Sequence, residues 1–245
     1  MSEDPEQDAA RAEALRLAVV IERQYRLLSG WLRALDADDA LPLTAPSALE
    51  GWTVAELVTH IGRGMSTIGL ARPADPGVRP ITLSAYVSAY PLVAEETAEV
   101  TRQLEREVGD TRLAANDAVA EQAFAQLAAL APLAVVQGLR GPLTAPDFFM
   151  TRLFELIVHA EDLAASIPGA GDAALDEEAL ALVAEAFAAM TAERLGGQEL
   201  QVKEPRGWVR LAAGRVPLDE RSAAVVRLPR TAEPLEQLRR AIPLF

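Results

Sequence analysis

Apolar residues recur along most of this chain at intervals of three and four, the spacing that lines one face of an α-helix. Over residues 9–35, Leu15, Val19, Tyr25, Leu28 and Leu32 predict a long amphipathic helix that stops at the acidic run Asp36-Ala37-Asp38-Asp39. After a loop holding Pro42 and Pro46, the segment Glu50-Gly51-Trp52-Thr53-Val54-Ala55-Glu56-Leu57 reads as a helix start. Thr53 and Glu56 have the spacing of a capping box, in which hydroxyl and carboxylate satisfy each other's backbone amides, and Trp52 and Leu57 take the positions of a hydrophobic staple. The helix should run to about residue 71, with Leu57, His60, Ile61, Gly64, Met65 and Ile68 on its inward face.

A Pro- and Gly-rich stretch, residues 72–80, precedes a third helical segment over 84–107, which Pro91 should break or kink near its start. A helix over 117–131 follows, and Gly138, Gly141 and Pro142 then mark a loop. Thr144-Ala145-Pro146-Asp147 opens the next helix with an acidic capping box and a proline in the first turn; it should end near residue 166, before Pro168-Gly169. A further helix, 175–195, is opened by Asp176 and closed by Gly196-Gly197. Beyond it the texture changes: 200–202, 207–211 and 223–228 read as short strands and 234–242 as a closing helix. Such a tail is marginal as an independent core, so it should pack on the helical part.

Composition narrows the function. With 245 residues, half of them apolar, the chain can bury a substantial core. A net charge of −13 and a pI near 4.7 argue against nucleic acid or an anionic membrane as partner. The opening Met1-Ser2-Glu3-Asp4-Pro5-Glu6-Gln7-Asp8 has neither the basic nor the apolar region of a secretory signal. The most apolar stretch, 123–139, is interrupted by Gln126, Pro132 and Gln137, so no spanning helix is expected and the reading is cytoplasmic. Cysteine is absent, which excludes disulfides and a thiol nucleophile of the protein's own. Any thiol chemistry must use a thiol brought in. Lys203 is the sole lysine beside many arginines, and alanine is abundant, a bias that points to a high-GC genome.

The candidate chemistry centres on the two histidines, His60 and His159. Glu155 precedes His159 by four residues, so both project from one helix face, and His60 would supply a third donor from another helix. Three N/O ligands with a fourth position open is the arrangement of catalytic zinc. The same residues also suit a core histidine bonded to a carbonyl, and spacing alone does not separate the two readings. Arg152, three before Glu155, suits a substrate-carboxylate clamp, and Asp162, three after His159, suits an imidazole-orienting partner; a plain salt bridge between helices is the alternative. No phosphate-binding Gly-rich loop, nucleophile elbow or dinucleotide fingerprint is present.

Together, Glu50-Gly51-Trp52-Thr53-Val54-Ala55-Glu56-Leu57-Val58-Thr59-His60 and Asp147-Phe148-Phe149-Met150-Thr151-Arg152-Leu153-Phe154-Glu155-Leu156-Ile157-Val158-His159-Ala160-Glu161-Asp162-Leu163 resemble the mycothiol-dependent maleylpyruvate isomerase family of the DinB-like superfamily. The resemblance implies a mainly α fold: a DinB-like, metal-binding four-helix bundle over residues 1–170 and a small α+β C-terminal domain over 171–245. It implies His60, Glu155 and His159 as ligands of zinc or another divalent metal, and mycothiol, the actinobacterial thiol, as the second cofactor. Val209-Arg210-Leu211-Ala212-Ala213-Gly214-Arg215 is similar to the family's C-terminal part and brings in Arg215, beside Arg152, as a substrate-carboxylate clamp. The implied activity is cis-trans isomerisation of a maleylpyruvate-like diacid, by thiolate addition, bond rotation and elimination, or a related thiol S-transfer to a small-molecule substrate. The competing reading is a non-catalytic metal-binding bundle that takes a small molecule or a protein partner.

Overall fold

The computed structural model describes residues 5–228 and 233–245; of the acidic opening read above, residues 1–4 lie outside the described residues. In chain order come α1 (Pro5–Ala37), α2 (Val54–Gly69), β1 (Arg72–Pro73), α3 (Leu83–Val87), a 3₁₀ turn (Tyr90–Val93), α4 (Ala94–Val108) and α5 (Arg112–Leu130). The strands β2 (Val135–Gly138) and β3 (Gly141–Thr144) lead into α6 (Ala145–Ser166) and α7 (Glu177–Arg194). The tail holds β4 (Gln201–Val202), α8 (Pro205–Ala212), α9 (Glu220–Ala223), β5 (Val226–Arg227) and α10 (Pro234–Ala241).

The helices α1 and α2 each pack against both α5 and α6, which closes a ring of four and makes the mainly helical DinB-like bundle. Helix α6 is its centre. Phe148, Phe149, Leu153, Phe154, Leu156, Ile157 and Leu163 point in several directions around its axis and are all buried, because α1, α2 and α7 cover different sides of it. A helix apolar all round is a buried helix. Full burial of each such side chain stabilises by roughly 1.5–3 kcal/mol.

In α1 the buried stripe is Ala14, Leu17, Ile21, Tyr25, Leu28 and Leu32, whereas Leu15 and Val19 are exposed. The sequence reading joined those two to the correct stripe at Tyr25, one residue out of phase, which on a helix is a rotation of about 100°. The break at Pro91 is present, but it yields a short helix, a 3₁₀ turn and then α4 rather than one kinked helix. Helix α5 begins five residues earlier than the 117 expected, at Arg112.

Residues 138–142, expected as a loop, are the turn of a β-hairpin. Gly138 pairs with Gly141 across Leu139 and Arg140, and β1 adds a third antiparallel strand on the far side of β2. Gly141 adopts φ +136°, a conformation closed to most residues with a side chain. The strands are too short and Gly/Pro-rich for alternation to betray them.

In the tail, residues 207–211 were expected as a strand and form most of α8 instead. Pro205 sits in the first turn, Glu204 caps the Gly207 amide at 2.7 Å, and Trp208, Leu211 and Ala212 share the face that α7 covers. Packing at a 3.6-residue period won over the β-branched and aromatic composition of a short window. The strand expected over 223–228 shrinks to β5, paired with β4, and the closing helix is present as α10. One hydrophobic cluster runs from Ala14 to Leu244, so the tail shares the core of the bundle.

Candidate metal centre

Each donor is placed by a capped helix. Thr53 Oγ1 accepts the Glu56 amide at 3.2 Å and Glu56 Oε2 accepts the Thr53 amide at 2.7 Å, which completes the capping box and sets the start of α2, two turns before His60. Helix α6 begins at Thr144, whose hydroxyl caps the Asp147 amide at 3.2 Å. The expected box is half formed, since the Asp147 carboxylate takes the Thr144 hydroxyl at 2.8 Å rather than its amide. Glu155 and His159 then follow one turn apart.

The structure brings His60, Glu155 and His159 together. Nε2 of His60 and Nε2 of His159 each lie 3.3 Å from Oε2 of Glu155, and ligand atoms of the three fit within 4.8 Å of one another. The imidazole rings meet edge to face at 4.9 Å, and Trp52 covers the His60 ring at 5.2 Å.

The outer nitrogens decide what the inner ones offer. Thr101 Oγ1 gives its proton to the Thr97 carbonyl at 2.8 Å, so toward His60 Nδ1, 3.4 Å away, it is an acceptor and Nδ1 carries the proton. His159 Nδ1 donates to Asp162 Oδ2 at 2.9 Å. In the neutral rings both Nε2 lone pairs therefore face a carboxylate oxygen. Acceptor facing acceptor in a buried site is unfavourable unless a proton or a metal cation lies between them. A tetrahedral ion with bonds of about 2.0–2.1 Å spaces its ligand atoms roughly 3.3 Å apart, which the two His–Glu edges match. The donor set fits a divalent metal.

The titration behaviour reports the same demand. Burial opposes charge on His159, yet Asp162 and Glu155 raise its pKa to about 9. Burial lowers that of His60, with Glu155 acting against it. Glu155, although burial favours its neutral form, is held well below the usual carboxylate range by the two histidines. The site keeps its carboxylate ionised and seeks positive charge between the rings.

Arg152 and Arg215 do not occupy equivalent places. Arg152 is buried, with Nη1 donating to Thr67 Oγ1 at 2.6 Å and to the Gly64 carbonyl at 3.3 Å, and Nε donating to Thr151 Oγ1 at 3.0 Å. It ties α6 to α2 and lines the cavity above the histidines. Arg215 lies just beyond α8 and holds Asp162 in a fork, Nε to Oδ1 at 2.8 Å and Nη2 to Oδ2 at 3.0 Å, while Nη1 donates to the Ala213 carbonyl at 2.8 Å. It touches the cavity, but its polar edge is turned to the carboxylate that orients His159.

The cavity has a volume of about 410 Å³, with Trp52, Phe154, Val158 and Phe245 among its apolar walls. Arg63, Arg140 and Tyr90 also line it, and sequence reasoning singled out none of them. Arg63 had a usable signal, standing three residues after His60 on the same helix face. Arg140 had none, because only the hairpin carries it there.

Residues 21–164 match the family described as the mycothiol maleylpyruvate isomerase N-terminal domain. No curated protein and no solved structure matches the chain. The matched segment includes His60, Glu155 and His159 and ends before the tail that supplies Arg215. Spanning more than half of the sequence, from within α1 to the last turn of α6, this match shows that the chain belongs to the mycothiol maleylpyruvate isomerase N-terminal domain family.

Proposed function

We propose that the chain is a metal- and mycothiol-dependent enzyme that isomerises a maleylpyruvate-like cis diacid, or transfers the thiol to a related electrophile. The observation that carries this reading is the convergence of two imidazole Nε2 atoms on one Glu155 oxygen, at 3.3 Å each, inside an arginine-lined cavity. His60, Glu155 and His159 would hold the ion, zinc by the character of the donors. A bound divalent ion supplies Lewis acidity that lowers a thiol's pKa toward neutrality. The chain has no cysteine, so that thiol is a small-molecule partner.

The protein's own groups supply the rest. Asp162 fixes the His159 tautomer, and Arg215 neutralises and orients Asp162. Trp52, Phe154 and Phe245 exclude water from the reacting centre, and Arg152, held rigidly by Thr67, presents positive charge to an anionic substrate. On this reading residues 1–170 form the metal-binding unit and residues 171–245 a small C-terminal domain that supplies Arg215. The reaction belongs in the reducing cytoplasm, where a thiol cofactor stays reduced. Among the described residues no helix is long and apolar enough to cross a membrane.

The test is metal analysis of the purified protein after zinc reconstitution, beside His60→Ala and Glu155→Ala, followed by turnover of cis-enoic diacids with and without mycothiol. One zinc per chain in the wild type, its loss in both variants, and thiol-dependent turnover are expected. Wild-type protein that remains metal-free sinks the metal reading, and zinc-loaded protein inert toward every thiol–substrate pair sinks the enzymatic one.

A further inference from the structure

The arginines at the cavity differ in what already satisfies them. Arg215 is committed to Asp162, and Arg152 to Thr67, Thr151 and Gly64. Arg63 and Arg140 have neither a hydrogen bond nor an ion pair among the described residues, although Arg63 is half-buried and Arg140 lies over the rings of Tyr86 and Tyr90. The Nε atom of Arg140 is itself buried without a partner, and the buried hydroxyl of Tyr90, which has the Arg152 guanidinium beside it, has no acceptor for its proton. The Arg140 guanidinium lies over the Tyr90 ring, 4.7 Å from its centroid, so these two orphaned donors belong to one corner of the cavity.

The charge balance there runs against that of the chain. Acidic residues outnumber basic ones 36 to 23 overall, yet the cavity lining holds Arg63, Arg140, Arg152 and Arg215 against Glu50 and Glu155 alone. Of those two, Glu155 faces the histidines. Burial pushes the Arg63 guanidinium below its usual range, and the like charges of Arg140 and Arg152 add to that, against the pull of Glu155 and Glu96. Unpaired, half-buried cations beside unsatisfied donors cost stability, and a bound anion removes the cost. The anion must be small, to share a cavity of about 410 Å³, and rich in acceptors, since the corner offers guanidinium N–H and phenol O–H donors.

We infer that Arg63, Arg140 and Tyr90 form a carboxylate-binding subsite beside the His60–Glu155–His159 group, one that selects substrates carrying a carboxylate away from the reacting carbon. The inference rests on the proposed function in taking the cavity as the substrate site, and it does not depend on the metal. Arg140 is the specificity-determining member: it sits at the tip of the β2–β3 hairpin, where a change of residue alters the corner without disturbing the bundle. Tyr90 fixes its guanidinium by stacking and adds a neutral donor.

Maleate is the probe, titrated calorimetrically into zinc-loaded and chelator-treated protein, with maleamide, the cis diamide, as its uncharged counterpart. Wild type should bind maleate in both states, Arg63→Met and Arg140→Met should each weaken binding at least tenfold with zinc content unchanged, and maleamide should not compete. Maleate should also raise the wild-type melting temperature but not that of Arg140→Met, a readout that stands even where Arg63→Met folds poorly. Equal maleate affinity in wild type and Arg140→Met, or no binding to wild type in either state, overturns the subsite. Arginine-dependent maleate binding by a chain that takes up no zinc supports the subsite while removing the metal reading, so the two fail separately.

Discussion

Nδ1 of His159 stands 2.9 Å from Oδ2 of Asp162, three residues further along the same helix, and the same carboxylate is gripped from the other side by Arg215. Asp162 is almost fully buried, and its pKa stays below the ordinary value despite that burial because His159 and Arg215 both stabilise the anion. The tail therefore reaches a candidate metal ligand through one intermediary. Partners of this kind set ligand orientation and basicity, and their loss typically lowers metal affinity 10- to 100-fold. Asp162→Asn and Arg215→Met should each lower zinc affinity by about that factor, with Arg215→Lys recovering part of it. Competition with a chromophoric chelator measures it, and unchanged affinity in Asp162→Asn would remove Asp162 from the site.

Gly62 lies where α2 meets α5. A methyl group there would stand 1.9 Å from Asn116 Oδ1 and 3.3 Å from Asn116 Cα, and Asn116 cannot turn away without giving up its 2.7 Å hydrogen bond to the Val58 carbonyl. Gly62→Ala should cost about 1–3 kcal/mol through this overpacking, more than the helix propensity of alanine returns. Urea denaturation checks the sign: a more stable variant would mean that the two helices separate easily.

Trp208 is fully buried on α8, and its Nε1 donates to the Ala184 carbonyl in α7 at 3.1 Å. Trp208→Ala should destabilise by about 3–5 kcal/mol, as large cavities in cores do. Because the hydrophobic cluster is continuous, the loss should appear in a single unfolding transition. A separate early transition of the tail in calorimetry would show instead that residues 171–245 unfold on their own.

Asp117 joins α5 to α1 through Tyr25 at 2.9 Å, Ser29 at 2.8 Å and Arg33. Burial works to raise its pKa, but these three hydrogen bonds bring it below the ordinary value. A carboxylate with a depressed folded pKa stabilises the fold fully above its unfolded pKa of about 3.9, and the contribution fades as pH falls through the folded value. Asp117→Asn should therefore lose less stability than wild type on acidification below about pH 4. Identical acid limbs in the urea midpoints of the two proteins would contradict this.

Thr53→Ala removes half of the capping box that begins α2 and should cost about 1 kcal/mol. Since that box also sets where His60 lies along the helix, zinc affinity should fall beyond what the stability loss explains, and paired denaturation and zinc titrations separate the two effects. Zinc affinity that follows stability alone would mean that the bundle, not the cap, positions His60.

The bundle helices and the His60, Glu155 and His159 candidates were legible because they rest on local rules. Capping boxes fix helix starts, a 3.6-residue period places His60 inward, and a four-residue step puts Glu155 and His159 on one face. Where those rules weaken, the reading slipped: at the first turns of α1, where alanine and leucine offer two competing stripes, in the Gly-bounded hairpin, and in α8, where a Trp-Val-Arg-Leu window suits either state. The roles expected of Arg152 and Arg215 depended on partners far away in the chain, and sequence spacing carries no information about those.

By itself, then, the sequence determined which residues lie on helix faces and that any thiol must come from outside, since both follow from local periodicity and composition. Only the tertiary structure decided what those faces meet. It placed two imidazole Nε2 atoms against one carboxylate, turned Arg215 toward Asp162, and carried Arg63 and Arg140 into the same cavity with no ion pair among the described residues. The physical reason is that such pairings are set by packing between segments dozens of residues apart, where burial strips water from charged groups and leaves their nearest neighbours to decide what they can bind.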